Sequence, residues 1–124
     1  MHELGVMLKV LDMVEHIAAE QKIDQVTAIV LDIGELSSVV PMFIEDYFPL
    51  MIEDRPLFKD CELVIERTEG IAECVNCGEQ YNVIENDGHC PCCNTFKKRV
   101  LQGRDFVIKE IQTPAPMQES AGSF

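Results

Sequence analysis

From Leu4 onward, apolar side chains recur at Met7, Leu8, Leu11, Val14 and Ala18. This three-and-four spacing gathers them on one stripe and predicts a helix over residues 4 to 21. The period then changes. Residues 26 to 34, VTAIVLDIG, are β-branched or aliphatic almost throughout, which predicts a strand at least partly covered on both faces and ended by Gly34. Ser37 and Ser38, followed by Pro41, announce a second helix with a serine cap and a proline in its first turn. Its apolar face is Phe43, Ile44, Tyr47 and Phe48. Pro49 has no N–H for the carbonyl of Glu45, so the helix should bend or end there, with Leu50 to Asp54 as a short continuation. Cys61, Leu63 and Ile65 alternate with Glu62, Val64 and Glu66 in a second strand, and Arg104 to Ile111 reads as a third.

These elements predict an α/β fold of the α+β kind, with two helices packed on a three-stranded sheet. The chain between the second and third strands forms an inserted zinc-ribbon-like hairpin. The expected organisation is one α/β domain from residues 1–72 and 100–112, a metal-binding insert at 73–99 and a disordered tail at 113–124. The tail combines prolines, serines and a glycine with little aromatic content.

The insert carries the strongest chemical signal. In CVNCGEQYNVIENDGHCPCC, Cys74 and Cys77 form one C-x2-C corner, Cys90 and Cys93 form another, and the 12 residues between them suffice for a short hairpin. Four thiolates so placed close a tetrahedron around one metal ion. Zinc suits such a closed structural site, which supplies folding free energy of about 10 to 16 kcal/mol at neutral pH. Iron in a rubredoxin-like site is the second choice. Cys92 inside the second corner and His89 just before it are additional donors that could exchange with a primary ligand. Disulfides are the bland alternative, yet the N-terminus does not resemble a secretory signal, and six cysteines without one favour reducing surroundings. Cys61, in a strand-like run, is expected to be a buried small apolar residue.

The net charge of −12 sharpens this division, since residues 74–99 are neutral: Glu79, Glu85 and Asp87 balance Lys97, Lys98 and Arg99. The excess of 19 acidic over 7 basic residues lies outside them, which argues against the phosphate backbone of nucleic acid as the main partner. No apolar run approaches the length of a membrane helix, so a cytoplasmic protein without membrane contact is expected.

The other candidate site is the first turn of the chain. The Met1 amine, the His2 amide nitrogen and the His2 imidazole can chelate one ion in fused rings, giving three in-plane nitrogens. A fourth donor, from Glu3 or from a second chain in a homodimer, would complete a square plane, a geometry that suits Ni(II) or Cu(II) and not zinc. Binding must displace protons from the amine and imidazole, so acid should release the ion. A frayed terminus is the competing reading. His16 reads as a partly solvated helix residue beside Glu15 and Glu20.

Taken together, the MHEL start, the IGELSSVVP stretch from Ile33 to Pro41, the cysteine corners ending in CPxC and the GRDFVIKEI strand resemble the HypA/HybF family of hydrogenase-maturation nickel chaperones. The likeness covers roughly residues 1 to 111. It implies a metallochaperone that holds nickel through the N-terminal amine and His2 with Glu3 assisting, and zinc through Cys74, Cys77, Cys90 and Cys93. It also implies partners: a GTPase accessory protein of the same pathway, the hydrogenase large subunit and, in some members, urease maturation proteins. Gly5 replaces the family's usual serine or alanine, and CPCCNT replaces CPxCGS; neither change removes a ligand.

The chain shows no paired carboxylates in a defined cleft, no glycine-rich phosphate loop and no nucleophile with an evident base, so no enzymatic activity is expected. The rival readings are a nucleic-acid-associated zinc ribbon using Lys97, Lys98 and Arg99 with Tyr81 or Phe96, a rubredoxin-like electron carrier, and a structural adaptor in which His2 binds nothing.

Overall fold

A computed structural model describes residues 2–114. In chain order it contains helix α1 (His2–Glu20), strand β1 (Ala28–Gly34), helix α2 (Pro41–Met51), a 3-10 turn (Pro56–Phe58), and strands β2 (Glu62–Thr68), β3 (Ile71–Cys74), β4 (Gln80–Asn82), β5 (Lys98–Gln102) and β6 (Phe106–Gln112). The strands form two three-stranded sheets, ordered β2-β1-β6 and β4-β3-β5. The first sheet is the one the alternation predicts. The second arises because the insert is more than a hairpin: β3 pairs antiparallel with both β4 and β5. Its strands of three to five residues are too short to leave a hydrophobic period, which is why the pattern did not reveal them.

The chain divides into two compact units. Among the described residues, one comprises 2–31, Val40–Ile65 and 108–114; the other comprises Asp32–Val39 and Glu66–Val107. In the first, α1 buries Met7, Val10, Leu11, Val14 and Ala18, α2 buries Ile44 and Phe48, and β1 adds Ala28 to Leu31. Leu4 and Leu8, expected on the buried stripe of α1, are exposed because they lie on its flank, where neighbouring elements do not reach. At this end of the first sheet, Thr27 N–H donates to the Gln112 carbonyl at 2.8 Å, and Glu62 N–H donates to the Thr27 carbonyl at 2.9 Å.

Two expectations about α2 change. Val40 is its N-cap residue and provides no side-chain cap; Pro41 fixes the first helical position, leaving the serines too far upstream. Ser37 Oγ instead accepts the Val39 N–H at 3.1 Å. The helix also passes through Pro49 to Met51. Pro49 sits in the last turn, where it removes one hydrogen bond with little helix left to disrupt. Turns then continue to Arg55, whose N–H donates to the Ile52 carbonyl at 3.1 Å.

In the second unit the backbone crowds at Gly103, where φ is +100° and an added Cβ would stand 2.6 Å from the Gly70 Cα. The facing Gly34 is as tight, its Cβ position only 2.1 Å from the Gly103 carbonyl oxygen. Around them Gly34 N–H donates to the Asp105 carbonyl and Leu36 N–H to the Gly103 carbonyl, both at 2.8 Å. No helix among the described residues is long and apolar enough to cross a membrane.

Candidate metal centre

The four cysteines converge because each corner folds as the same tight knuckle. In the first, Gly78 N–H donates to the Cys74 carbonyl at 2.9 Å and Cys74 N–H to the Glu79 carbonyl at 2.9 Å. In the second, Asn94 N–H donates to the Cys90 carbonyl at 2.8 Å and Cys90 N–H to the Thr95 carbonyl at 3.0 Å. The residue after each corner takes a left-handed conformation, Gly78 at φ 81° and Asn94 at φ 61°. Asn tolerates that region best after Gly, so NT in place of GS preserves the turn. Within each knuckle a backbone N–H points at the leading sulfur: Asn76 N to Cys74 Sγ at 3.4 Å, and Cys92 N to Cys90 Sγ at 3.3 Å.

All four sulfurs lie within 4.8 Å of one another. Cys74 Sγ is 3.5 Å from Cys93 Sγ, and Cys77 Sγ is 3.6 Å from Cys90 Sγ. A disulfide requires about 2.05 Å. Tetrahedral zinc at a Zn–S distance of about 2.3 Å requires edges of roughly 3.8 Å, so the donor set fits zinc. Cys74 and Cys90 are buried, Cys93 is intermediate and Cys77 exposed. The Asn76 amide, 3.5 Å from Cys93 Sγ, with the Thr95 N–H and Cys74, lowers the Cys93 thiol to about 6. Cys77 moves the other way: although a Glu79 backbone hydrogen bond favours its thiolate, burial and proton sharing with the other three sulfurs raise it. Four sulfurs this close cannot all carry charge without a cation among them. Tyr81 and Ala72 pack on Cys74 and Cys90, and Tyr81 O–H donates to the Gly88 carbonyl at 3.5 Å.

Cys92 and His89 stay outside this cluster. Cys92 is exposed; the His89 ring meets the Asp87 carbonyl through Nδ1 at 3.0 Å and the Phe96 ring at 5.2 Å between centroids. Lys98 Nζ donates to the Phe96 carbonyl at 2.8 Å and lies 3.6 Å above the Phe96 ring, while Arg99 pairs with Glu73. Two of the three cations proposed for phosphate contact are thus engaged within the protein. Cys61 is half-buried instead of buried; desolvation, then the adjacent Glu62 charge, raises its thiol to about 11, which leaves it protonated and unreactive. His16 is exposed and pairs with Glu20 at 3.3 Å.

At the other candidate site, Met1 lies outside the described residues. His2 opens α1 and is exposed. Glu3 is 7% exposed, and its Oε2 accepts the Val40 N–H at 3.1 Å. That bond, opposed by burial and aided by the charges of His2 and the N-terminus, holds the Glu3 carboxyl below the usual carboxylate value. Sequence reasoning paired Glu3 with the metal but did not find Val40. The available signal was a proline-opened helix with no capping side chain at the position before it.

The profile of the family described as "Hydrogenase/urease nickel incorporation, metallochaperone, hypA" matches residues 1–113. A hydrogenase maturation factor HypA from Geobacter metallireducens is 36% identical over 112 residues, covering 90% of this chain and 98% of that protein. Another from Crocosphaera subtropica is 32% identical, with 90% and 95% covered. Among solved structures, the solution structure of the Ni metallochaperone HypA from Helicobacter pylori superposes with a TM-score of 0.62 at 20% identity, covering 90% of this chain and 96% of that one. A second solution structure of a HypA protein gives 0.64 at 22%, covering 92% and 97%. At these identities the two structures bear on the fold alone.

Proposed function

Since the chain belongs to the HypA family of nickel metallochaperones of hydrogenase and urease nickel incorporation, we propose that its cargo site is the chain's first turn. Ni(II) is taken by the Met1 amine and by the amide and imidazole nitrogens of His2, with Glu3 assisting, and is passed to a docked partner. The observation that carries this reading is the placement of His2 at the start of α1, next to a buried carboxylate fastened to α2. A helix leaves the N–H groups of its first turn outside its own ladder, so an amide nitrogen there can be given to a metal without breaking the helix. A deprotonated amide ligand offsets the unfavourable helix dipole at a cation.

The division of labour between metals follows from donor chemistry. Cys74, Cys77, Cys90 and Cys93 hold zinc in a closed site with no open position for substrate, so its role is structural. Nitrogen donors at the chain's start form an open site from which nickel leaves by exchange with donors on the recipient. Exposed Leu4 and Leu8 on α1, with Met42 and Phe43 at the start of α2, offer apolar contact near His2 for that recipient. The partners are a GTPase accessory protein of the pathway, the hydrogenase large subunit and urease maturation proteins, with a homodimer as one supplier of the fourth donor. The protein breaks no bond in a substrate and works in the cytoplasm.

Calorimetry with Ni(II) on protein with a native, untagged N-terminus tests this. His2→Ala should abolish stoichiometric nickel binding while zinc content stays at one per chain, and acid should release nickel from the parent protein. Unchanged nickel affinity in His2→Ala would refute the assignment.

A further inference from the structure

Among the described residues Glu3 is the buried charged one, 7% exposed, and its surroundings assign the carboxylate a task. Helix α2 starts without local help: Val40 at the N-cap has no side-chain acceptor, and Pro41 follows it. In a capping box, a Glu or Gln at the third helical position reaches back to the N-cap N–H. That position in α2 is Phe43, which cannot do so. Glu3 replaces it from another helix, 37 residues away in sequence, with Oε2 3.1 Å from the Val40 nitrogen. The contact satisfies a helix-start donor that has no acceptor in α2 and brings negative charge to the positive end of that helix.

We propose that Glu3 is a positioning residue of the nickel site, whose carboxylate clamps the start of α1 to the start of α2 and does not itself bind the metal. This inference rests on the nickel reading above and makes it more specific. Swinging the carboxylate onto a metal would break the bond to the Val40 N–H and withdraw negative charge from the positive end of α2. Held where it is, Glu3 anchors the residue that follows His2. The donor nitrogens are then presented from a fixed point and not from a fraying end. Supporting groups of this kind act through the donors they orient, and removing one typically weakens metal affinity by about 10 to 100-fold.

The two roles predict opposite rankings of conservative variants. A clamp needs an acceptor oxygen at the reach of Glu, so untagged Glu3→Gln should retain Ni(II) affinity within about threefold, with an unchanged nickel absorption spectrum. Glu3→Asp keeps the charge but falls one methylene short, so it should lose about tenfold or more, as should Glu3→Ala. A carboxylate donor predicts the reverse: Asp outperforms Gln, and the Gln spectrum shifts. Hydrogen exchange at the Val40 amide, measured without nickel, reads the clamp directly. Protection should persist in Glu3→Gln and fall in Glu3→Asp and Glu3→Ala. Equal Val40 exchange in all four proteins would overturn the clamp, and a Gln variant that binds worse than Asp would overturn the positioning role. If the parent protein bound no nickel, the functional reading would fail, while the exchange result would still decide whether Glu3 holds α2.

Discussion

The two units of this chain are held together by different physics. The helical unit buries Met7, Leu11, Val14, Ile29, Leu31, Ile44 and Phe58 almost completely, and full burial of each such side chain contributes about 1.5 to 3 kcal/mol. The core cluster around the cysteines is Ala72, Cys74, Tyr81 and Cys90, flanked by Val83 and Cys93. One core is therefore built of large apolar side chains, whereas the other is mostly small residues, several of which are metal donors. Strands as short as Gln80–Asn82 cannot stabilise a sheet from so little apolar area. A metal supplies what the side chains lack, as small folds commonly require.

Stripping the zinc should break this comparison open with the largest effect. A chelator at neutral pH, or Cys74→Ala, withdraws much of a binding free energy of about 10 to 16 kcal/mol. Hydrogen exchange should then show β3 and β5 losing protection and protease should cut between Cys77 and Cys90, while amides of α1 and β1 remain slow. Simultaneous loss throughout α1 would mean that the two cores are one cooperative structure.

The converse change belongs in the other core. Phe58 is fully buried, and Phe58→Ala should cost about 3 to 5 kcal/mol in urea unfolding. Zinc content should stay at one per chain under native conditions. Zinc lost in proportion to the destabilisation would count against independent stabilisation.

Gly103→Ala should cost somewhat less, on the order of 3 kcal/mol. It combines a φ of +100° with a Cβ forced to within 2.6 Å of the Gly70 Cα and 2.7 Å of the Glu69 carbonyl oxygen. Gly78 is the control, since its φ is +81° but nothing lies within 4 Å of an added Cβ. Gly78→Ala should therefore show only the backbone cost, about 1 to 2 kcal/mol. Equal losses at the two glycines would mean that the crowding at Gly103 relaxes.

What could be read in the sequence follows the same division. Helix α1 and strand β1 bury continuous faces, and β2 and β6 are half-buried, at Leu63 to Ile65 and at Phe106, Ile108 and Ile111; that covering imposes a period that the residues display. The sulfur cluster was legible for a different reason: metal geometry restricts cysteine spacing whatever the strands around it do. Nothing comparable marks β3, β4 and β5, whose three to five residues are too few for an alternation to stand out. For the Glu3 contact to Val40, the uncapped, proline-opened helix marked an unmet donor but not its partner, because the bond joins residues 37 apart through a backbone N–H that any residue at position 40 other than proline carries. Leu4 and Leu8 misled because a period locates a stripe but not its edge.

The smallest effect tests the symmetry inside the metal unit. Gly78 and Asn94 occupy equivalent places in the two knuckles, each donating its N–H to the first cysteine carbonyl of its corner with a left-handed backbone. Asn holds that conformation at a modest penalty, and Gly holds it at none beyond chain entropy. Asn94→Gly should thus change stability by no more than about 1 kcal/mol, leave zinc stoichiometry unaltered and slightly slow zinc loss to a chelator. Asn94→Val should accelerate that loss, because a β-branched side chain resists φ of 61°. Only the turn matters here and not the Asn side chain, so Asn94→Gly releasing zinc as fast as Asn94→Val would show that the two knuckles are not equivalent.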